Sequence, residues 1–217
     1  DHYNNPVVGA TVKFNINSRT LIEGVTDENG IVRINYTIKE DPGSYSFTAT
    51  YNGNDILLGS SQIGTLTVDK ISANIQLPDL KGKYGEEVLL LAFLKDKNGN
   101  AISGKKVNFY VNGTNVGSAT TDRAGAAKFT YRIDKNIGEY TIKSSLTGDS
   151  LYQDTEATGT LTVNPIPTAI TTINTQGKYG ETVQFNAILK DENNNPIPNQ
   201  NITFKINDKP IGTAITD

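Results

Sequence analysis

Gly82-Lys83-Tyr84-Gly85-Glu86 returns unchanged as Gly177-Lys178-Tyr179-Gly180-Glu181, 95 residues further on. The chain lays on itself at that offset without a gap. Phe14, Phe109 and Phe204 fall into one column, and so do Asp27, Asp122 and Asp217. Around those phenylalanines apolar and polar residues alternate: Val12, Phe14 and Ile16, then Val107, Phe109 and Val111, then Ile202, Phe204 and Ile206 share one side. A period of two marks a strand with one buried face. Residues 32–38, 45–51 and 65–68 read the same way, separated by turn signals such as Glu28-Asn29-Gly30 and Asn52-Gly53-Asn54. No stretch carries helical periodicity. Short strands at this spacing, about seven to a unit of roughly 100 residues, predict an all-β fold of tandem Ig-like antiparallel β-sandwiches.

A second signal supports the sandwich. Gly138-Glu139-Tyr140 and Gly43-Ser44-Tyr45 have the form of a tyrosine corner, in which a Tyr near the start of a late strand bonds back to the preceding turn. Ile142 and Phe47 stand where an antibody domain has cysteine, and the chain has no Trp. Leu66-Thr67-Val68 and Leu161-Thr162-Val163 close a unit, two or three residues before the next begins. This predicts a partial repeat over residues 1–69 that lacks its opening strands, a complete one over 70–164, and a partial one over 165–217 that lacks its closing strands. The linkers are short, Pro165 and Pro167 stiffen the second, and the expected shape is a stiff rod. Two readings of the split ends stand side by side. Either a neighbouring molecule completes them, since residues 165–190 match the stretch that the first part lacks, or the chain, which starts at Asp1 without Met, is a segment of a longer array.

Composition narrows the partners. The net charge is −3 with Lys and Arg scattered, which leaves no electrostatic footprint for nucleic acid or an anionic membrane. No run approaches the roughly 18 apolar residues of a membrane span. There is no cysteine, so no disulfide staples the core, and the redox compartment stays open on this ground.

Catalytic chemistry finds few residues to use. The single His is His2, and Glu86 and Glu87 are adjacent, which in a strand turns their carboxylates to opposite faces. No phosphate-binding glycine loop and no zinc spacing is present. Asp96, Asn98 and Asn100, repeated as Asp191, Asn193 and Asn195, place oxygens at alternate positions as calcium loops do; the same residues also favour a plain tight turn. Without calcium, no cofactor is expected. A covalent cross-link from Lys83, Lys95, Lys178 or Lys190 needs an inward lysine beside an acid or amide, and these positions do not offer one. Sequons at Asn35, Asn112 and Asn201 are predicted to be reachable, although an Asn-rich and Thr-rich chain also produces them by chance.

One strand breaks the alternation. In 88–94 the inward set is Val88, Leu90, Ala92 and Leu94, while the outward set is also apolar: Leu89, Leu91 and Phe93. The next repeat has Gln184, Asn186 and Ile188 there. Either this face is a lateral or ligand contact, or a neighbouring strand or loop covers it.

Tyr84-Gly85-Glu86, the run from Gly104 to Phe109, Gly117, Gly125, Gly138-x-Tyr140, Gly148-Asp149-x-x-Tyr152 and Leu161-Thr-Val163 together resemble the prokaryotic Ig-like repeats of large surface proteins, particularly the adhesin-like proteins of methanogenic archaea. The likeness runs the whole chain and departs where Asn54-Asp55-Ile56-Leu57 replaces the Gly-Asp-x-x-Tyr pattern. It implies a non-catalytic, extracellular cell-surface stalk or adhesin segment. Expected partners are neighbouring repeats or further copies of the chain, possible filament assembly included, and a surface glycan or protein ligand. The alternative is a carbohydrate- or cell-wall-binding module, for which Tyr3, Tyr110 and Tyr152 are the aromatic candidates.

Overall fold

The structure is a computed structural model. It describes residues 3–17 and 19–217, with only the backbone of Thr20 and Leu21; Asp1 and His2 lie outside the described residues. Sixteen strands and no helix are found among them. Residues 3–69 hold β1 (Thr11–Ile16), β2 (Arg19–Val25), β3 (Gly43–Gly53) and β4 (Leu58–Val68). Next come β5 (Ala73–Gln76), β6 (Leu80–Lys83), β7 (Glu87–Asp96), β8 (Lys106–Val111), β9 (Thr114–Thr120), β10 (Ala126–Arg132), β11 (Gly138–Leu146) and β12 (Thr155–Asn164). The last four are β13 (Thr168–Thr172), β14 (Ala187–Asp191), β15 (Asn201–Ile206) and β16 (Lys209–Ile215).

The strands from β5 to β12 form an Ig-like sandwich. One layer has the order β10-β7-β5 and the other β6-β12-β11-β8-β9. The period-two pattern is realised directly: Leu90, Ala92 and Leu94 from one layer and Val107, Phe109, Val111, Ile142, Leu161 and Val163 from the other are buried in a single core. The opening strand is split between layers. β5 pairs antiparallel with β7, then Pro78-Asp79 carries the chain across, and β6 runs parallel to β12. Asp79 fixes that crossing by accepting the Thr160 N–H at 2.7 Å. The tyrosine corner is present: the Tyr140 hydroxyl donates to the Asn136 carbonyl at 3.0 Å, and that of Tyr45 to Asp41 at 2.7 Å.

The flanking residues show what strands require of each other. Residues 32–38, predicted as a strand, form none. Their counterparts in β10 pair with β7, and residues 1–69 contain no stretch equivalent to β7. A strand without a ladder partner leaves its backbone groups to water. The same logic trims β14, which starts at Ala187 where its pairing with β13 begins, although the alternating pattern starts at Val183. β1 to β4 form one sheet in the order β2-β1-β3-β4; β13–β14 and β15–β16 form two separate pairs.

Candidate interaction surface

The outward face of β7 is the middle strand of its layer. Leu89 is 45% exposed, while Leu91 and Phe93 are half-buried. Across the ladder Leu89 stands opposite Thr130, Leu91 opposite Lys128, and Phe93 between Ala126 and Gln76. Lys128 is held at the rim by Asp122 at 3.3 Å. The face is thus a narrow apolar stripe with a polar border. Ile188, the apolar residue at the matching place in β14, is also exposed.

The aspartate loops have a geometry of their own. Asp96 Oδ1 accepts the N–H groups of Asn98 and Asn100 at 2.8 and 2.9 Å, and Oδ2 accepts the Asn100 side-chain amide at 2.9 Å. Asp191 makes the same three bonds with Asn193 and Asn195. The amide donors of Asn100 and Asn195, side chain first and then backbone, hold these carboxyls below their ordinary value. Asp27 and Asp122 build equivalent turns, bonding the N–H groups of Ile31 and Ala126. Asp96 and Asp191 thus each organise an aspartate turn with the Asn residues that follow. No cluster of three or more His, Cys, Asp or Glu suited to a metal occurs among the described residues.

Sequence reasoning missed a junction built on Asp149. Its Oδ1 accepts the N–H groups of Leu151 and Tyr152, both at 2.9 Å, and its Oδ2 takes the Lys105 ammonium at 2.8 Å. Burial opposes the charge of Asp149, but Lys105 and the two N–H groups outweigh it and hold the carboxyl below its ordinary value. Lys105 also lies 5.0 Å over the Tyr152 ring. The loop so fixed seats the linker. Ile71 donates to the Leu151 carbonyl and accepts from Gln153, each at 2.9 Å, and Lys70 donates to the Asp149 carbonyl at 2.7 Å. The signal was legible as a joint change: Lys105, Asp149 and Tyr152 match Ala10, Asn54 and Leu57 in the first repeat. Asn54 keeps the turn, bonding the N–H groups of Ile56 and Leu57, but carries no charge for a lysine.

The remaining candidates lie apart. Asn35, Asn112 and Asn201 are exposed; Asn112 is in the β8–β9 turn at φ 49°, and Asn201 opens β15. Tyr110 is covered by Lys143, 4.9 Å from its ring, so Tyr110 and Tyr152 are engaged by different lysines. Tyr3 is exposed near the start of the chain. Lys83, at the end of β6, reaches Glu192 beyond β14, with 2.6 Å between Nζ and Oε2. That ion pair joins the middle sandwich to the residues after Asn164.

No profile of a known protein family matches the chain. Among solved structures it is similar to the fibronectin(III)-like modules of Clostridium thermocellum CbhA, at 15% identity, over 73% of this chain and 79% of that one, with a TM-score of 0.35. It is similar to surface layer protein SbsC, domains 1–6, at 15% identity, over 95% of this chain and 28% of that one, with a TM-score of 0.30. In sequence it is 24% identical, over 221 residues and 95% of its length, to the inverse autotransporter adhesin YeeJ of Escherichia coli (strain K12), and it spans 9% of the length of that adhesin.

Proposed function

We propose that the chain is a non-catalytic stalk or adhesin segment of an extracellular surface protein, in which Ig-like sandwiches joined by stiff junctions hold a binding region away from the cell. The observation that carries this reading is the docked linker. β4 ends at Val68, Lys70 is tied to Asp149, and the Ile71 backbone is bonded on both sides to the loop that follows β11. Only Asp69 and Lys70 lie between the end of β4 and the first backbone tie at Ile71, and Lys70 is held through its side chain, which leaves little freedom for bending. Similarity to a bacterial adhesin over nearly the whole chain points the same way. So does the resemblance to prokaryotic Ig-like surface repeats, the methanogen adhesin-like ones included. Partners on this reading are neighbouring repeats, further copies of the chain, and a surface glycan or protein ligand, with Leu89, Leu91 and Phe93 as the contact face.

The carbohydrate- or cell-wall-binding alternative has less support, because Tyr110 and Tyr152 each pack against a lysine rather than forming an open platform. The test of the stalk reading is the stiffness of the junction. Spin labels on cysteines placed at Gln62 and Thr158 are expected to give a narrow distance distribution by pulsed dipolar spectroscopy. Ile71→Pro removes the N–H that bonds Leu151 and is expected to broaden it. A parent distribution as broad as that of the variant sinks the stiff-rod reading.

A further inference from the structure

We propose that the outward face of β7 is a self-pairing surface, on which two copies of this chain stack face to face with their β7 strands antiparallel. Along β7 the outward positions read Glu87, Leu89, Leu91, Phe93 and Lys95. An acid stands at one end and a base at the other, with three apolar side chains between them and Leu91 at the midpoint. The core does not ask for this pattern. Val88, Leu90, Ala92 and Leu94 supply the core, and the next repeat has Gln184 and Asn186 where Leu89 and Leu91 stand. The face lies in the middle sandwich with chain on both sides of it, and Leu89 is still 45% exposed there. Among the described residues neither Glu87 nor Lys95 has an ion-pair partner, whereas Lys128 on the neighbouring strand is paired with Asp122.

The spacing sets the geometry. Glu87 and Lys95 lie equally far along the strand from Leu91, so a two-fold axis over Leu91 that runs across the strands brings Glu87 of each copy to Lys95 of the other, and Leu89 to Phe93. An axis along the strands would instead set Glu87 on Glu87 and Lys95 on Lys95, and like charges oppose it. Charge therefore selects the antiparallel stacking. In it β10 of one copy overlies β10 of the other, and Lys128 meets its counterpart already neutralised by Asp122 at 3.3 Å. Three strands about 4.8 Å apart and a β7 run rising about 3.4 Å per residue give a footprint of about 400 Å² on each copy, roughly half that of a stable interface. The pairing is accordingly weak and exchanging.

This pairing rests on the contact face named in the stalk reading, and it can fail alone. The spin-label distances report stiffness within one copy, so a stiff chain that never pairs refutes the pairing and leaves the stalk. The test is sedimentation equilibrium on the whole chain from micromolar to millimolar concentration. The expected mass rises from the 23.5 kDa of one chain and levels at two copies. Leu91→Asp is expected to weaken the association at least tenfold while the middle sandwich melts as in the parent, because Leu91 lies outside that core. Glu87→Lys or Lys95→Glu alone turns two attractive pairs into two repulsive ones and is expected to weaken it about tenfold. Both reversals in one chain are expected to restore it, and a mixture of the two single variants is expected to form the mixed pair in preference to either like pair. A mass that stays at one chain throughout overturns the proposal. So does association that Leu91→Asp leaves unchanged, or a single charge reversal that the second one does not rescue.

Discussion

Gly117→Ala is expected to damage the middle sandwich severely. Gly117 lies in β9 at φ +153°, and a Cβ built on it stands 2.3 Å from Cε2 and 2.4 Å from Cζ of Phe129. Ordinary contact begins near 3.4 Å, so the ring must move by about 1 Å. It has little room, since it stacks on Phe109 with 6.0 Å between centroids and 20° between planes, and Phe109 is wholly buried. Overpacking costs roughly 1–3 kcal/mol and a non-glycine at such a φ a further 1–3 kcal/mol. A loss of about 2–6 kcal/mol follows, which for a domain of this size lowers Tm by about 8 °C or more. Differential scanning calorimetry of the whole chain reads it. Phe129→Ile in the Gly117→Ala background is expected to recover part of the loss, because the first repeat combines Ile22 with Ile34 at the same two places. A Gly117→Ala transition within about 3 °C of the parent, less than the shift of a 1 kcal/mol change, refutes the packing argument. No recovery in the double variant assigns the whole cost to the backbone.

Other outcomes are open to test. Ser144 is fully buried with its hydroxyl unbonded, and the first repeat has Ala49 there; Ser144→Ala is expected to stabilise by about 1 kcal/mol in urea unfolding, and a loss refutes it. Lys105 and Asp149 are partly exposed, so a double-mutant cycle of Lys105→Ala with Asp149→Asn is expected to show a coupling of about 1 kcal/mol, below that of a fully buried pair. Asp96, Asp122, Asp149 and Asp191 have folded values below the ordinary 3.8, so their contribution is present above that pH and is lost as pH falls through the lower folded values. Burial, helped by Asp134, pushes Tyr131 up to about 12 from an ordinary value of 10.0, a contribution present below pH 10 and lost above it. Melting against pH is therefore expected to hold level between these limbs, and a slope between pH 6 and 9 counts against these assignments. Millimolar calcium is expected to leave the melting curve unmoved, since the Asp96 and Asp191 oxygens already accept N–H donors; a clear upward shift restores them as ligands.

The sequence by itself determined which side chains face inward. Alternation is local, so Val107, Phe109 and Val111 announce their buried side without reference to any partner, and the turns at Asp96 and Asp122 are likewise built within five residues. The tyrosine corner belongs to the same class, because Tyr140 and Tyr45 each reach back four residues. What only the tertiary structure decided is where strands exist and what junctions hold. Residues 32–38 carry a strand pattern yet form no strand, since a ladder needs a partner that is distant in sequence. The ties of Lys105 to Asp149 and of Ile71 to Leu151 join residues 44 and 80 positions apart, and no periodicity reports such pairs. The alternation likewise does not report that Leu89 is exposed while Leu91 and Phe93, on the same face, are half-buried.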